Sequence, residues 1–390
     1  MNKSFCLVLL AVLPVLSACK SNSSGGVENN GAETIFYDEN NAETLQLKDV
    51  VELTKVIRLE DSDPNSFVAS IDELLCVNGV FVVVDKYGTR RIQTFDSNGR
   101  FISKISALGN GPHEYISIRD VCITPQGNIG IVDTQKRKIL EFTVDGKYVK
   151  DIPISCMPAY VEFLNNDTLV LNVSGNTNNE DQCINESEII IADRSMKSIG
   201  SFGEDMLYKT ERSDYGMIMQ QVYKYGGTVY CTLLEDNVIY QVDGATMKPK
   251  YNLKMAPDDL IPMWDEKAHN RDDFMFWFAK QPHFYSFMEF EDYTLLSYSR
   301  EGDLIPKLLY DHKKKQTFAL EESDDEPLLS YYFRLNAVMD DGQSIVTWNT
   351  ASMVKYFEEH GSEIDNDLLK EACKDLTEES NPLLFVFTLK

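Results

Sequence analysis

Short runs of apolar residues, separated by turn sequences, recur along the chain from about residue 73 to its end. Between residues 73 and 153 the pattern occurs twice, and Asp85 of the first copy corresponds to Asp133 of the second, at an offset of 48 residues. Likewise Gly99 is matched by Gly146, 47 residues later. Short runs of this kind are typical of strands, and turns that end in Gly suit hairpins. A repeat of this length built from short strands predicts the blades of a β-propeller.

Each repeat predicts four antiparallel strands, named a to d from the axis outward. The apolar runs place five such blades at residues 73–106, 119–153, 160–202, 221–255 and 286–320. A sixth blade has only three runs of its own, at residues 334–339, 344–349 and 383–390. Because the apolar segment 50–60 precedes blade one without a partner, we predict that it supplies the missing outer strand and closes the ring. The predicted fold is an all-β, six-bladed β-propeller closed by an N-terminal strand, with short helical inserts on one face.

The N-terminus has the pattern of an export signal. Lys3 precedes an apolar run that is too short to remain as a membrane span. The signal ends in Leu-Ser-Ala-Cys, which resembles the lipobox of bacterial lipoproteins and implies that Cys19 is lipidated; an ordinary secretory signal with a chance Cys is the alternative. A polar stretch rich in Gly, Ser and Asn follows, and such a composition predicts a flexible tether. The predicted boundaries are signal peptide 1–18, tether 19–45 and propeller 46–390.

The loop after the first blade reads GNGPHEY, from Gly109 to Tyr115. With this loop and the six-blade repeat, the chain resembles the six-bladed β-propeller lipoproteins of the NHL-like and TolB-like class in Gram-negative bacteria, which have a GxGPxEY loop at this place. His113 stands where Gly is common in that loop, and this is a departure. The resemblance covers the folded region from about Val50 onward. It implies the fold and a cell-envelope location in the outer membrane, facing the periplasm or the surface, but no particular activity.

The composition is strongly acidic, with 62 Asp and Glu against 37 Lys and Arg and a formal net charge of −25. A surface of this charge repels nucleic acid and anionic lipid, so we expect no nucleic-acid partner and contact with the membrane only through the lipid anchor. The cysteines show no zinc-binding spacing. We expect a monomer without a cofactor. Ca²⁺ would be the cofactor if the chain were instead a metal-dependent enzyme.

Loops that join strand d to a, and strand b to c, share one side of a propeller. We call this side the long-loop face, because it receives the inserts 174–187, 203–220, 256–285 and 350–382. Since function concentrates on long loops held by a rigid scaffold, we predict that this face binds an unknown glycan, peptide or envelope protein. The candidate ligand-binding residues are a cationic arc and aromatic residues of an insert: Arg90, Arg91, Arg137, His113, Arg334, Trp264 and Trp277, with Lys86, Lys136 and Lys138 completing the arc. Two structural interpretations stay open, namely that the arc is a pair of solvated turns and that the aromatic insert packs onto the propeller.

A metal-dependent hydrolase or lyase that uses the central channel is the alternative function. Such propeller enzymes place His, Glu, Asp and Asn around the channel, and Glu162 and Glu289 take matching inner-strand positions from which they would bind Ca²⁺. The chain has five His, and none of them lies in a predicted inner strand. No nucleophile motif or phosphate-binding Gly loop is present either. We therefore favour a binding protein over an enzyme.

Overall fold

The computed structural model describes residues 31–173, 187–204, 220–234, 236–261, 280–300, 303–321, 337–339, 341–348, 350–361, 364 and 366–390. These residues form six β-sheets, each built on four antiparallel strands. Five sheets take their four strands from consecutive stretches of chain, and the last takes its outermost strand from the N-terminal region. The predicted six-bladed β-propeller is confirmed.

The chain begins with three N-terminal strands and a short helix: β1 (Glu33–Asp38), β2 (Thr44–Gln46), α1 (Leu47–Val50) and β3 (Val51–Arg58). Blade one contains β4 (Glu73–Val77), β5 (Val80–Asp85), β6 (Arg91–Phe95) and β7 (Phe101–Ile105). Blade two contains β8 (Asp120–Ile123), β9 (Ile129–Asp133), β10 (Lys138–Phe142) and β11 (Tyr148–Pro153). Blade three contains β12 (Tyr160–Asn165), β13 (Thr168–Asn172), β14 (Ser187–Asp193) and β15 (Ser198–Glu204).

Blade four contains β16 (Val222–Tyr225), β17 (Thr228–Thr232), β18 (Val238–Asp243) and β19 (Thr246–Ala256). Blade five contains β20 (His283–Glu289), β21 (Tyr293–Arg300), β22 (Asp303–Asp311) and β23 (Gln316–Glu321). Blade six contains β24 (Ala337–Val338), β25 (Ser344–Trp348) and β26 (Leu383–Leu389), with β3 outermost. His283 begins an inner strand, so the expectation that no His lies in one is wrong; its ring is buried and lies 3.0 Å from the Gln281 carbonyl.

The residues that repeat between blades one and two are the ones that shape their turns. Asp85 ends strand b of its blade and accepts a hydrogen bond from the Gly88 amide at 2.8 Å, and Asp133 accepts one from the Gln135 amide at 3.0 Å. Gly99 has a φ of +82°, which only Gly adopts without strain. A Cβ added there would lie 2.1 Å from the Arg58 carbonyl oxygen, so this turn also packs closely against β3.

The N-terminal strand closes the ring as predicted. β26 pairs antiparallel with β3, from Leu383 opposite Arg58 to Leu389 opposite Val51. Apolar side chains of this pair join those of blade one in a single core, in which Ile57, Phe81 and Leu384 are all buried. Closure therefore buries apolar surface on both sides of the seam between the first and the last blade.

The predicted tether extends too far along the chain. β1 pairs parallel with β19, and β2 pairs parallel with β23, so residues 33–38 and 44–46 belong to the propeller. Ile35 and Tyr37 are buried between blades four and five. Both are apolar residues at alternate positions, next to the half-buried Phe36 and Asp38, which is a strand signal that the polar composition just upstream obscures. The tether boundary at residue 45 is wrong, and residues 1–30 lie outside the described part of the chain.

Two further helices, α2 (Thr350–His360) and α3 (Asp367–Ala372), lie between β25 and β26 in the predicted long insert. The Asn366 side chain caps α3 by accepting a hydrogen bond from the Leu369 amide at 3.2 Å. Met353 and Leu369 are buried against blade six. No helix in the described residues is long and apolar enough to cross a bilayer.

Candidate functional site

The inner strands surround a central channel with a cavity volume of about 760 Å³. Its lining includes residues of all six inner strands, among them Glu73, Asp120, Glu162, Lys224 and Ser286. Each inner strand begins at the long-loop face, so Glu73 and Asp120, as first residues of β4 and β8, lie at that end of the channel. A cavity of this size is in the range that takes up small molecules.

Lys86 lies in the loop after β5 and turns its side chain into the channel. Its Nζ is 2.6 Å from Oε2 of Glu73 and 3.6 Å from Oδ1 of Asp120. The other oxygen of Asp120 accepts a hydrogen bond from the Val161 amide at 2.8 Å. One lysine and two carboxylates thus connect the inner strands of blades one, two and three.

The connection continues around the channel with two hydrogen bonds to backbone carbonyls. Lys224 Nζ donates to the Phe163 carbonyl at 2.8 Å, which joins blade four to blade three. The Tyr225 hydroxyl donates to the Phe287 carbonyl at 2.7 Å, which joins blade four to blade five. The polar residues of these links have a structural role, because each of them satisfies a group on the neighbouring blade.

Glu162 differs from these residues. No described residue donates a hydrogen bond to its carboxylate, and Lys224 Nζ lies 3.9 Å from Oε2, at the distance of a long ion pair. The Glu162 side chain lines the cavity and is half-buried, with 18% of its surface exposed. Tyr160 lies on the same face of β12, two residues earlier, and lines the same cavity.

Burial changes the proton affinity of these groups. Burial, reinforced by the charges of Asp120 and Glu73 and opposed by Lys224, raises the pKa of Glu162 to about 8. Burial and the nearby Asp120 raise the pKa of Glu73 to about 7, against the effect of Lys86. Burial also raises the pKa of Asp120. With pKa values of about 7 and about 8, Glu73 and Glu162 hold or release a proton near neutral pH, which is common at functional sites.

Aromatic side chains lie along the same channel. Tyr87 follows Lys86 at the long-loop end, lines the cavity and is 82% exposed. Tyr160 and Tyr223 also line the cavity. Burial and the neighbouring Asp120 raise the pKa of Tyr160, so this residue stays a neutral phenol at physiological pH. The channel therefore combines flat apolar surfaces with hydrogen-bonding groups.

The predicted cationic arc is divided in the structure. Lys136 Nζ donates to the Glu114 carbonyl at 2.6 Å, and Lys138 Nζ donates to the Pro112 carbonyl at 2.8 Å, so both lysines hold the GNGPHEY loop in place. Lys86 faces the channel, as described above. These three lysines therefore do not form an exposed arc, because each satisfies carbonyl or carboxylate groups of the propeller.

The remaining predicted residues of the arc lie at the long-loop face and contact backbone carbonyls. Arg90 and Arg137 are exposed, and each donates at 3.4 Å, to the carbonyls of Ile116 and Ser155 respectively. Arg91 donates to the Phe67 carbonyl. The exposed ring of His113 packs on Tyr148, with centroids 3.9 Å apart. Their role in ligand binding stays a prediction, and Trp264, Trp277, Arg334 and Cys19 lie outside the described residues.

The two proposed calcium ligands have different surroundings. Glu162 faces the channel, whereas Glu289 accepts hydrogen bonds from Tyr251 at 2.8 Å and Thr294 at 2.6 Å, beside blade four. Both oxygens of Glu289 are therefore engaged by hydroxyl groups. In the described part of the chain, no three or more His, Cys, Asp or Glu side chains are grouped in a way that would hold a metal ion.

The charged cluster of the channel was missed in the sequence, although the repeat contains a signal for it. Glu73 and Asp120 are 47 residues apart, the same offset that relates Gly99 to Gly146. Both are acidic residues at the start of an otherwise apolar inner strand. Equivalent positions of neighbouring blades meet around the axis, so an acid repeated at this position indicates a charged channel.

The comparisons with known proteins agree with the fold. Residues 32–388 match the family model described as "Domain of unknown function (DUF4934)". No curated protein matches the sequence significantly. The solved structure of a candidate exported protein from Bacteroides fragilis NCTC 9343 is similar, with 16% identity and a TM-score of 0.71 over 92% of this chain and 99% of that chain. A DUF4221 family member from Bacteroides vulgatus ATCC 8482 has 12% identity and a TM-score of 0.52 over 87% of this chain and 99% of that one. At these identities the likeness shows the fold alone.

Proposed function

This chain belongs to the DUF4934 family, and from that premise and its channel we propose that it is a binding protein whose ligand enters the central channel from the long-loop face. The observation that supports this most is the carboxylate of Glu162, which lines the cavity and receives no hydrogen bond from any described residue. The Lys224 ammonium lies 3.9 Å from this carboxylate, beyond hydrogen-bond distance, so the hydrogen bonds of the acid are left for a ligand to complete. Carboxyl groups with a raised pKa in a cavity are candidates for a binding site.

Binding in the channel would involve those candidate residues that meet there. Glu162, Tyr160 and Lys224 would contact the ligand inside, and Tyr87 would contact it at the entrance. Arg90, Arg91, Arg137 and His113 would form an outer ring on the long-loop face, to which Trp264, Trp277 and Arg334 belong by sequence. A glycan, a peptide or an envelope protein segment would each reach this face.

A thermal-shift screen of a metabolite, peptide and glycan library tests the proposal. Ligands that stabilise the wild-type protein are then titrated against Tyr87→Ala and Lys147→Met. Tyr87 lines the channel, whereas Lys147 is 79% exposed on a turn of the opposite face. Binding weakened by Tyr87→Ala alone supports the channel. Equal affinity of both variants and the wild type would contradict it.

We propose that the protein is exported and held in the cell envelope by a lipid on Cys19, as an NHL-like or TolB-like propeller lipoprotein of the outer membrane. The signal-like N-terminus and the candidate exported protein of the same fold support this location. Cys19→Ala is expected to move the protein from the membrane fraction to the soluble fraction, because the lipid is its only proposed anchor. Fractionation in detergent-free buffer measures this, and a variant that stays with the membrane would contradict lipid anchoring.

A second candidate is a hydrolase or lyase acting in the channel. One observation favours it: Glu73 and Glu162, with pKa values of about 7 and about 8, are suited to proton transfer near neutral pH. Incubation of a ligand found in the screen with the protein, followed by mass spectrometry, tests for turnover. Recovery of the unchanged ligand would leave binding as the function.

A further inference from the structure

We propose that the ligand of the channel is a neutral, polyhydroxylated molecule of the saccharide class, with a hydroxyl group held between the Glu162 carboxylate and the Lys224 ammonium. This inference rests on the proposed function, because it names the ligand of the same channel. Three features of the described residues support it: the spacing of the pair, the charges around it and the aromatic surfaces beside it.

The spacing of Glu162 and Lys224 suits a bridging hydroxyl. Their nearest charged atoms are 3.9 Å apart, which exceeds hydrogen-bond distance. Lys224 donates one hydrogen bond, to the Phe163 carbonyl, and its remaining protons are available to a ligand that enters the cavity. A hydroxyl oxygen about 2.8 Å from both atoms would donate to the carboxylate and accept from the ammonium. Only a group that is both donor and acceptor satisfies the two residues at once.

The charges that face the cavity favour a ligand without net charge. Lys86 lies within 3.6 Å of both Glu73 and Asp120, so each of these acids already has a cation beside it. The ionised Glu162 and Lys224 sum to zero charge. An ammonium ligand would be repelled by Lys224 beside Glu162, and a carboxylate ligand would force Glu162, whose pKa is about 8, to stay protonated. Hydroxyl groups bind Glu162 in either protonation state, because they both donate and accept hydrogen bonds.

The tyrosines provide the apolar part of such a site. Tyr160 shares a strand face with Glu162, and Tyr223 and Tyr87 line the cavity on other blades. The C–H faces of a sugar ring pack against aromatic rings, while its hydroxyl groups point to the polar residues. A cavity of about 760 Å³ has space for more than one sugar ring.

Calorimetric titration with defined sugars tests the inference. The neutral probes are glucose, galactose, mannose, N-acetylglucosamine and disaccharides of each, and the charged probes of matched size are glucosamine and glucuronate. Each is titrated into the wild-type protein, Glu162→Met, Lys224→Met and the turn control Lys147→Met. We expect a neutral sugar to bind, and its affinity to fall at least tenfold in each channel variant and to stay unchanged in the control. Melting curves of all variants show whether they are folded.

The outcomes separate this inference from the proposed function. Binding of glucosamine or glucuronate alone, lost in the channel variants, would overturn the saccharide assignment and leave the channel as the binding site. A neutral sugar whose affinity is unchanged in both folded channel variants would overturn the role of the Glu162 and Lys224 pair. Failure of every probe would overturn the saccharide class, and the library screen would then decide separately whether the channel binds anything.

Discussion

Replacement of Glu162 by Gln is expected to stabilise the fold at neutral pH. The wild-type carboxyl is half-buried and receives no hydrogen bond from the described residues. The Lys224 ammonium 3.9 Å away offsets only part of the cost of desolvation, so ionisation there is unfavourable. A Gln amide resembles the protonated acid in size and polarity but never ionises. The substitution therefore removes the electrostatic penalty of the native state and leaves the packing of β12 in place.

The magnitude follows from the pKa of Glu162, which is raised from 4.5 to about 8. Below pH 4.5 the folded and unfolded chains both hold the proton, and the residue has no effect. As the pH rises from 4.5 towards 8, the unfolded chain loses its proton first and folding becomes less favourable. At about 1.4 kcal/mol per pH unit the penalty at pH 7 is about 3 kcal/mol, and local relaxation reduces it, so we expect a gain of about 1–3 kcal/mol.

Urea unfolding followed by tryptophan fluorescence measures this difference in the free energy of unfolding. Wild type and Glu162→Gln are compared at pH 5.0 and pH 7.5. The variant should be close to the wild type at pH 5.0 and more stable at pH 7.5. A variant that is less stable than the wild type by the same amount at both pH values would refute the reasoning, because Glu162 would then stabilise the native state through contacts independent of its charge.

Three other predictions concern the scaffold and are read from melting curves. Deletion of residues 20–30 should leave the melting temperature unchanged, whereas deletion of 20–45 should lower it by removing β1 and part of β2; equal melting would contradict the role of these strands. Lys86→Met should lower the free energy of unfolding by about 3 kcal/mol, because the buried carboxylates of Glu73 and Asp120 lose their cation. A loss below about 0.5 kcal/mol would show that this cation is dispensable. Gly244→Ala should lower the free energy of unfolding by about 1 kcal/mol, because of the positive φ alone. Gly99→Ala should lower it clearly more, because its Cβ would collide with β3. A similar loss in both variants would contradict the close approach of this turn to β3.

The architecture was predictable because its signals are local. The repeated Asp85 and Gly99 positions fix turns within their own blade, and the apolar runs between them fix the strands. Closure by β3 followed from counting strands, since a ring of blades leaves no unpaired inner edge. These features require no knowledge of which distant residues meet.

Features that depend on distant contacts were not predictable in the same way. β1 and β2 are strands only because the outer edges of blades four and five accept them in parallel. Lys86 lies in a polar loop whose composition indicates exposure, yet its side chain turns inward to meet Glu73. The channel cluster is formed by the ring itself, because Glu73 and Lys86 come from blade one, Asp120 from blade two and Glu162 from blade three.

A crystal structure of the protein with its tightest-binding library compound is the most direct test of the central claim, which is that the channel is the binding site. We predict that the compound lies in the channel, with a polar atom within hydrogen-bond distance of Glu162 and a ring against Tyr160. A compound bound on the outer surface of the blades or at the short turns of the opposite face, with no atom in contact with Glu162, would contradict it.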